Sequence, residues 1–393
     1  MGEHHLSDLG PCLTLEKLAM KKSLIALAVL AASGTSFAQS SVTIWGIVDA
    51  AVSRGTSDAN SVTRLVGSGI SSSQLGFRGT EDLGGGMSAS FWLEAGVNND
   101  SGAGGATSTN NASTGIGATS ATGGAVTTTG TQGLTFNRRS TVSLTGGFGE
   151  IRLGRDYTPQ FWNWTAYDPF GTNGVGTTRT MLSSVALGGT TGGTTGTSVR
   201  ASNSVTYLYN HGANATYAAG GNGLHAAVQM YFGENVSSSA TPNDGDGTGI
   251  RVGYNAGPLS AAVGTGQTKF ATGNLKMTNV GAGYDMGVAR LIGQITRDQL
   301  GTVKGDGMLV GLTAPMGAGL VRASYSTYEN KATTADSKQI AVGYVHNLSK
   351  RTRAYATYAN VKNANGAAAA LGGATGVANK ASTGFDIGMT HAF

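Results

Sequence analysis

Residues 382–393, STGFDIGMTHAF, end the chain on a pattern in which every second side chain is large. Phe385, Ile387, Met389, His391 and Phe393 share one parity, and four of these five are apolar. Side chains of a β-strand point alternately to its two faces, so the pattern predicts a strand with one apolar face. Terminal segments usually fray unless a neighbour holds them. An apolar face that runs to the last residue therefore predicts a strand that is paired along its full length.

The composition differs from that of an ordinary soluble chain. Glycine accounts for 64 of 393 residues and charged residues for 12 %, against a usual ~7 % Gly and ~25 % charge. Abundant Gly, Ser and Thr would fit disorder. However, 13 Tyr, 11 Phe and 4 Trp lie along the chain at strand-like spacings. We therefore expect disorder only in loops.

The N-terminal region carries an export signal. The stretch beginning MKKSLIALAVL has two lysines, an apolar run and the small residues Ser36 and Ala38 around a cleavage site, which is the pattern of a secretory signal peptide. We expect residues 1–19 to be an upstream mis-start, 20–38 the signal peptide and 39–393 a single mature domain. An anchor helix would need a longer apolar run. The single cysteine, Cys12, precedes the cut, so thiol chemistry is not expected in the mature chain.

Alternation with a period of two recurs throughout residues 39–393, for example in VTIWGIVDAAV (42–52) and MSASFWLEA (87–95). Short turns rich in Gly, Asn and Asp separate pairs of these segments, at 81–86, 145–150, 218–223, 255–258, 284–288, 315–319 and 346–352. Longer polar connections lie between the pairs, near 54–70, 98–135, 156–199, 233–248, 267–276, 297–306, 328–337 and 362–381. Seven short and eight long joints connect sixteen strands.

An even number of two-faced strands, with short joints at one end and long ones at the other, is typical of an outer-membrane barrel. The fold class predicted is therefore all-β, a 16-stranded antiparallel transmembrane β-barrel. Closure follows because an open sheet edge in lipid leaves backbone groups unpaired. The last strand is then expected to pair with residues 42–53, with Phe393 facing lipid at the rim. A soluble β-helix is disfavoured because the connections have no fixed period.

Several long stretches are similar to one known family, among them SVTIWGIVDAAV (41–52), LGFRGTEDLGGGMSASFWLE (75–94) and FNRRSTVSLTGGFGEIRLGRDYTP (136–159). They resemble the trimeric general-diffusion porins of Gram-negative outer membranes, particularly the β-proteobacterial branch. The resemblance implies a homotrimer and a third long loop folded into the lumen as a constriction. The connection 156–199, with its four large aromatics, is the candidate for that loop; an ordinary exposed loop is the alternative.

Strand parity predicts which charged side chains face the lumen. With Leu75, Phe77, Phe91 and Leu93 outside, the inward residues are Gln74, Arg78 and Glu94. Arg200 points inward if its strand has no bulge. Of the adjacent pair Arg138 and Arg139, parity favours Arg139 and the resemblance favours Arg138. Arg152, Arg155 and Asp156 could contribute to the pore or support the base of the loop.

The family resemblance implies basic residues on one side of the constriction and acidic ones on the other. Arg138, Arg139 and Arg200 match the basic side, and Glu94 and Asp168 match the acidic side. Gln74 stands where anion-selective relatives can carry an arginine, which removes one positive charge. With a net charge of +5, the sequence predicts a water-filled channel for small hydrophilic solutes with a mild anion preference.

The sequence gives less support to other functions than to a general-diffusion channel. A substrate-specific channel for a sugar, phosphate or organic acid would be supported by an aromatic track that includes Trp162 and Trp164. A barrel enzyme is disfavoured because no Gly-x-Ser-x-Gly motif occurs. An adhesin is disfavoured because the Thr- and Gly-rich stretch 106–132 fits a solvated loop, and nucleic-acid binding is disfavoured because the basic residues are dispersed.

The six histidines have no metal-site spacing, so neither a metal nor a cofactor is expected. The expected partners are outer-membrane lipid, lipopolysaccharide and, through Phe393, the barrel-assembly machinery.

Overall fold

A computed structural model describes residues 41–105, 111, 133–179, 196–211, 220–271 and 273–393, and antiparallel β-strands make up most of these described residues. The segments predicted as mis-start and signal peptide, 1–19 and 20–38, lie outside the described residues. One short helix, α1 (Pro159–Ala166), and a 3-10 turn (Gly196–Ser198) interrupt the strands. None of the helices within the described ranges has the length and apolarity needed to cross a membrane.

Eighteen strands are present in the described residues. In chain order they are β1 Ser41–Ser57, β2 Ser61–Gly67, β3 Gln74–Gly84, β4 Met87–Asn98, β5 Ala103–Gly104, β6 Arg139–Gly146, β7 Gly149–Tyr157, β8 Arg200–Tyr209, β9 Gly223–Tyr231, β10 Gly247–Ala256, β11 Leu259–Thr268, β12 Leu275–Asp285, β13 Arg290–Leu300, β14 Val303–Met316, β15 Gly319–Asn330, β16 Asp336–Asn347, β17 Thr352–Ala364 and β18 Ser382–Ala392.

The wall that these strands form is a closed cylinder. Neighbouring strands of the wall are hydrogen-bonded to each other, with β4 paired directly to β6, and β1 pairs with β18 from Ile47–Ala392 to Ser57–Ser382. Strands β2 and β3 lie one above the other on the same side of β1 and act as one interrupted wall strand. The two-residue β5 pairs only with β4. The closed wall therefore contains the sixteen strands predicted.

The C-terminal strand is held between two neighbours, as its sequence predicted, although its partner residues on β1 are 47–57 and not the predicted 42–53. β18 pairs with β17 on one side and β1 on the other, and Gly46 and Phe393 exchange backbone hydrogen bonds of 3.1 and 3.0 Å. The Phe393 side chain is exposed on the outer face. Phe148, Tyr254 and Tyr284 are likewise exposed near the short turns, so the final residue belongs to an aromatic girdle of the kind found at membrane interfaces.

The wall is apolar outside and polar inside, the reverse of a soluble protein. On β16, Ile340 and Val342 point outward and are 55 % and 49 % exposed, whereas Gln339, which precedes Ile340, is fully buried on the inner side. The same alternation runs along the other long strands, for example Val280 outside and Asn279 inside on β12. Since the outward residues are stable only against lipid, the barrel is a transmembrane one.

Two of the predicted long connections are wrong. β1 and β2 are joined by residues 58–60, and β13 and β14 by 301–302, so the predicted loops 54–70 and 297–306 are mainly strand. Side chains such as Arg54 and Arg297 there are exposed. Polar residues on an outer face indicate that these hairpins continue beyond the hydrocarbon layer, where neither face needs to be apolar. The polarity of these residues is therefore the reason why strand was predicted as loop at these two places.

The interruption between β2 and β3 forms an inner insertion, residues 68–73. The buried Asp49 carboxylate accepts hydrogen bonds from the backbone N–H groups of Gly69 (2.8 Å), Ile70 (3.3 Å) and Ser71 (3.0 Å), and from the Tyr355 hydroxyl. A single carboxylate thus holds three successive peptide groups of the insertion and the side chain of Tyr355 on β17, the strand on the other side of β18.

Candidate functional site

Residues 158–179 of the connection between β7 and β8 lie against the inner face of the wall. We call this segment the inner loop. Asn163 of α1 donates to the Ala262 carbonyl (3.2 Å) and the Asn279 side chain (2.7 Å), and accepts from Arg251 Nε (3.0 Å). Gln294 donates to the Trp164 carbonyl (3.0 Å). These partners point inward from β10, β11, β12 and β13, so α1 is fixed to the lumenal side of four adjacent strands.

The far end of the inner loop is fixed to other strands. Gln339 of β16 donates to the Gly176 carbonyl (3.0 Å), and Asp386 of β18 accepts from the Val175 N–H (2.8 Å). The inner insertion contributes a further bond, from the Ser72 hydroxyl to the Asn173 side chain (3.0 Å). The contacts of the inner loop follow one another from β10 to β18, so the segment runs along the inner face of this part of the wall.

Replacing Asn163 by alanine is expected to loosen α1 and raise both the conductance and the current noise of single channels. The change deletes four buried hydrogen-bonding contacts and leaves Arg251 and Asn279 without this partner, a local cost of about 1–3 kcal/mol per orphaned group. Planar-bilayer recording measures the effect, with Asn60→Ala, which alters an exposed contact with Thr375, as the control. Unchanged conductance and noise would contradict the anchoring role.

Asp168, predicted on the acidic side of the pore, lies within the inner loop. Its carboxylate accepts from the backbone N–H groups of Phe170 (2.8 Å) and Thr178 (3.0 Å) and from the Thr178 hydroxyl (2.8 Å). Arg322 is the nearby cation, stacked over the Phe170 ring at 4.8 Å. Burial raises the pKa of Asp168 to about 6. The structure therefore associates Asp168 with the fold of the loop and with Arg322.

The Asp168 carboxyl is expected to make the ion preference of the channel pH-dependent. Raising the pH from 5 to 7.5 removes its proton and adds a negative charge inside the barrel, so anion preference is expected to fall across this range. Reversal potentials measured at each pH give the result. Burial lowers the pKa of His211 to about 4, so this histidine stays neutral throughout. Asp168→Asn should show a flatter pH profile, and a profile identical to that of the unaltered protein would contradict the assignment.

Arg138 and Arg200 converge on one phenol. Both guanidinium groups donate to the Tyr157 hydroxyl, Arg200 at 2.6 Å, and Arg200 also stacks over the ring at 4.1 Å. Arg138 makes an ion pair with Glu94 (2.6 Å). A β-bulge at Asn203, whose φ is +54°, breaks the parity of β8. Arg200 nevertheless reaches this group of residues, because its strand begins beside Tyr157.

Arg139 lies beside a second set of charges. Its Nε is 3.6 Å from the Asp156 carboxylate, and its guanidinium stacks over Trp92 at 4.5 Å. Arg152 is held between Glu150 (2.9 Å) and Asp156 (2.7 Å). The other predicted residues are nearby: Arg78 lies over Trp92 at 5.2 Å, and Gln74 lines the same cavity as Trp92 and Glu94. Both arginines of the 138–139 pair therefore enter this region.

Positive charge exceeds negative charge in this part of the lumen. We call the six guanidinium groups the arginine cluster: Arg138, Arg139, Arg152, Arg155, Arg179 and Arg200. Arg155 and Arg179 join it through electrostatic interaction with Arg200 and Tyr157, and burial together with Arg200 lowers the pKa of Arg179. The carboxylates paired with the cluster are Glu94, Glu150 and Asp156. Six cations and three anions leave an excess of three positive charges, which attracts anions into a low-dielectric space.

Parity analysis missed Tyr157, Trp45 and Arg179. Trp45 occupies an inward position on β1, opposite the apolar face. Strand parity could therefore have predicted that it faces the lumen, but not what it does there. Tyr157 ends β7 and Arg179 lies in the inner loop, where side-chain direction depends on the path of the loop. Across the residues that the structure covers, no group of three His, Cys, Asp or Glu side chains could hold a metal ion.

A closed barrel with a lipid-facing exterior and a charged, loop-lined interior defines the class of transmembrane channel proteins. More specifically, the chain belongs to the Gram-negative porin family, whose model matches residues 24–366. It is therefore an outer-membrane protein that lets small hydrophilic solutes diffuse passively, and the family is one of channels rather than enzymes.

Related proteins share most of its length. Outer membrane porin protein 32 of Delftia acidovorans is 40 % identical over 391 residues, which is 95 % of this chain and all of the relative. An outer membrane porin protein of Bordetella pertussis is 27 % identical, over 88 % of this chain and 95 % of the relative. The anion-selective porin from Comamonas acidovorans superposes with a TM-score of 0.72 at 35 % identity. The match covers 90 % of this chain and 100 % of the Comamonas chain. The trimer form of OmpT from Vibrio cholerae, at 13 % identity, TM-score 0.59 and 90 % and 99 % coverage, shares the fold.

Proposed function

We propose that this porin mildly prefers anions to cations and that the inner loop narrows the pore beside the arginine cluster. The excess of three positive charges among these buried groups carries the proposal, since fixed charge at a narrow point sets the sign of ion selectivity. The similarity to a porin described as anion-selective supports it. Glu94 and Asp156 compensate part of the charge, and Gln74 adds none, which is why the preference is mild.

The test is the reversal potential of the purified protein in a planar bilayer under a KCl gradient. Anion preference moves the potential toward the chloride equilibrium value. A shift toward the potassium value would overturn the proposal, and zero shift would limit the protein to size selection alone. Conductance steps that arrive in groups of three in the same recordings would support a homotrimer.

A homotrimer is proposed on the basis of family membership. The outer face is apolar around the whole wall, which suits contact with lipid and with a neighbouring barrel alike. Chemical cross-linking in native membranes, followed by denaturing electrophoresis, tests this directly. A ladder that stops at the trimer supports it, and monomer alone at full cross-linking argues against it.

We also propose that 20–38 is removed on export and that the last strand is read by the barrel-assembly machinery. The support for the second statement is the exposed, outward Phe393 at the end of an alternating strand. N-terminal sequencing of the mature protein should begin at Gln39. A peptide of residues 382–393 should compete with the full chain for assembly, whereas the same peptide without Phe393 should compete less.

Lipopolysaccharide is the proposed partner of the outer rim of β16 and β17. Lys338 and Lys362 lie directly opposite each other on these strands, and both are exposed. Like charges in this arrangement are unfavourable, and Asp336, 3.8 Å from Lys338 Nζ, compensates only part of the charge, so an anion between the lysines would be stabilising. Ile340 follows Lys338 on the outer face, and Tyr358 lies on the same face beyond Asn360. A phosphate group with acyl chains below it fits both features.

Changing Lys338 and Lys362 to glutamine is expected to weaken lipopolysaccharide binding about tenfold or more, because each lysine near an anionic lipid surface contributes about 1 kcal/mol. Native mass spectrometry of the detergent-solubilised protein measures retention of the lipid. Lys350→Gln, at the opposite rim, is the matched control. Equal retention in both variants would exclude this rim as the binding surface.

A further inference from the structure

One lumenal cavity collects an unusual share of the aromatic side chains. The chain has four tryptophans, and three of them line a single cavity of about 230 Å³. Its principal lining residues are Trp45, Trp92, Trp162, Tyr157, Arg138 and Arg139. Tyr157 and Trp162 pack in the apolar cluster around Phe161 and Trp164, whereas Trp45 and Trp92 belong to none of the apolar clusters of the described residues. Their concentration beside the arginine cluster therefore requires a separate explanation.

The rings form two contacting pairs. Trp45 and Trp92 are 5.2 Å apart in an edge-to-face arrangement, and Tyr157 and Trp162 are 4.6 Å apart. The Trp45 indole lies over Gly76, where a Cβ atom would collide with it. Its buried N–H group has no hydrogen-bond acceptor among the described residues. Flat apolar ring surfaces thus border the same space as the guanidinium groups.

The charge and the shape of the cavity select for different parts of a ligand. Three arginines, Arg138, Arg139 and Arg152, line the cavity together with two carboxylates, Glu94 and Asp156. The single positive charge left over favours any small anion, and chloride or phosphate would satisfy it. Chloride and phosphate make little use of ring faces, whereas a planar aromatic group stacks on them favourably. The volume is sufficient, because an apolar cavity of ~150 Å³ already holds benzene.

We propose that this cavity is a binding site for planar aromatic carboxylates within the channel. The ring lies among Trp45, Trp92 and Trp162, and the carboxylate faces Arg138 and Arg139, where guanidinium groups recognise it through charge-assisted hydrogen bonds. The inference deepens the proposed anion preference and rests on it, because the same arginine cluster supplies the attraction. It makes the protein a channel with a preferred class of organic acid.

Current block in a planar bilayer tests the proposal. Benzoate is compared with cyclohexanecarboxylate, which has the same charge and similar size but a puckered ring, and with acetate. We expect benzoate to reduce the chloride current at a concentration about fivefold lower than cyclohexanecarboxylate, since aromatic pairs contribute ~0.5–1.5 kcal/mol beyond their area. Tryptophan fluorescence should change with benzoate over the same concentration range.

Two substitutions separate this site from the remainder of the pore. Trp45→Leu and Trp92→Leu should each remove most of the difference between benzoate and cyclohexanecarboxylate. The matched control is Tyr254→Leu, which removes an exposed aromatic from the outer face and should leave the difference intact. Equal block by the two acids in the unaltered protein overturns the proposal, as does a difference that survives both tryptophan variants.

The outcomes also distinguish failure of this site from failure of the proposed function. Reversal potentials are recorded on the same bilayers before the acid is added. Anion preference without discrimination between the acids would refute the aromatic site and leave the proposed function standing. Cation preference would refute the proposed function itself.

Discussion

A double variant with Arg138→Ala and Arg200→Ala is expected to lose nearly all of its anion preference. The excess of positive charge falls from three to one, and the Glu94 carboxylate loses its ion-pair partner at 2.6 Å. A buried charge left without its partner interacts strongly with passing ions because the local dielectric constant is low. The reversal potential under a KCl gradient should therefore approach zero or change sign.

Two controls show whether charge or local structure produces the change. Arg297→Ala removes a guanidinium group whose side chain is 77 % exposed on the outer face, and it should leave the reversal potential unaltered. The double change to lysine keeps the charge but loses the bonds to Tyr157, and it should retain most of the preference. If the alanine variant kept the reversal potential of the unaltered protein, the arginine cluster could not be the source of selectivity.

Asp49→Ala is expected to have the largest effect on stability. It leaves the N–H groups of Gly69, Ile70 and Ser71 and the Tyr355 hydroxyl without their acceptor in a buried site. Each orphaned buried donor costs about 1–3 kcal/mol, so the four donors together are expected to cost about 4 kcal/mol or more. Urea unfolding in detergent, followed by the heat-dependent mobility of the barrel on gels, measures the loss.

The control for Asp49 is Asp58→Ala, which breaks an exposed ion pair with Lys380 at 3.0 Å and should cost less than about 1 kcal/mol. Asp49→Asn tests the role of charge, since it keeps the shape but offers one acceptor in place of two. It should fall between the alanine variant and the unaltered protein. A stable alanine variant with normal conductance would mean that the inner insertion does not depend on Asp49.

Much of the wall could be predicted because membranes impose a simple rule. On β18, Phe385, Ile387 and Met389 alternate with small or polar residues, and closure against β1 follows from the need to pair every backbone group in lipid. Beyond the hydrocarbon layer that rule no longer applies. The polar ends of the β1–β2 and β13–β14 hairpins were therefore indistinguishable from loops.

The candidate site was predictable only where a strand sets side-chain direction. Glu94 and Gln74 follow from the apolar neighbours on β4 and β3. Arg200 depends on a bulge and Tyr157 on the start of the inner loop, and neither leaves a periodic signal. The inner insertion, with the sequence SGISSS (68–73), has the composition of any surface turn. Its partner Asp49 is a single residue within an alternating strand, so the pairing could come only from the structure.

The ladder between β1 and β18 joins residues that are nearly the whole chain apart, Ile47 with Ala392. Until the last eleven residues arrive, two strand edges remain without partners, and unpaired edges recruit other chains. An unfinished polypeptide therefore has no stable form in the bilayer and exposes a surface for aggregation or degradation. The topology thus prevents a truncated chain from closing into a barrel, so that such a product forms no unregulated channel in the outer membrane.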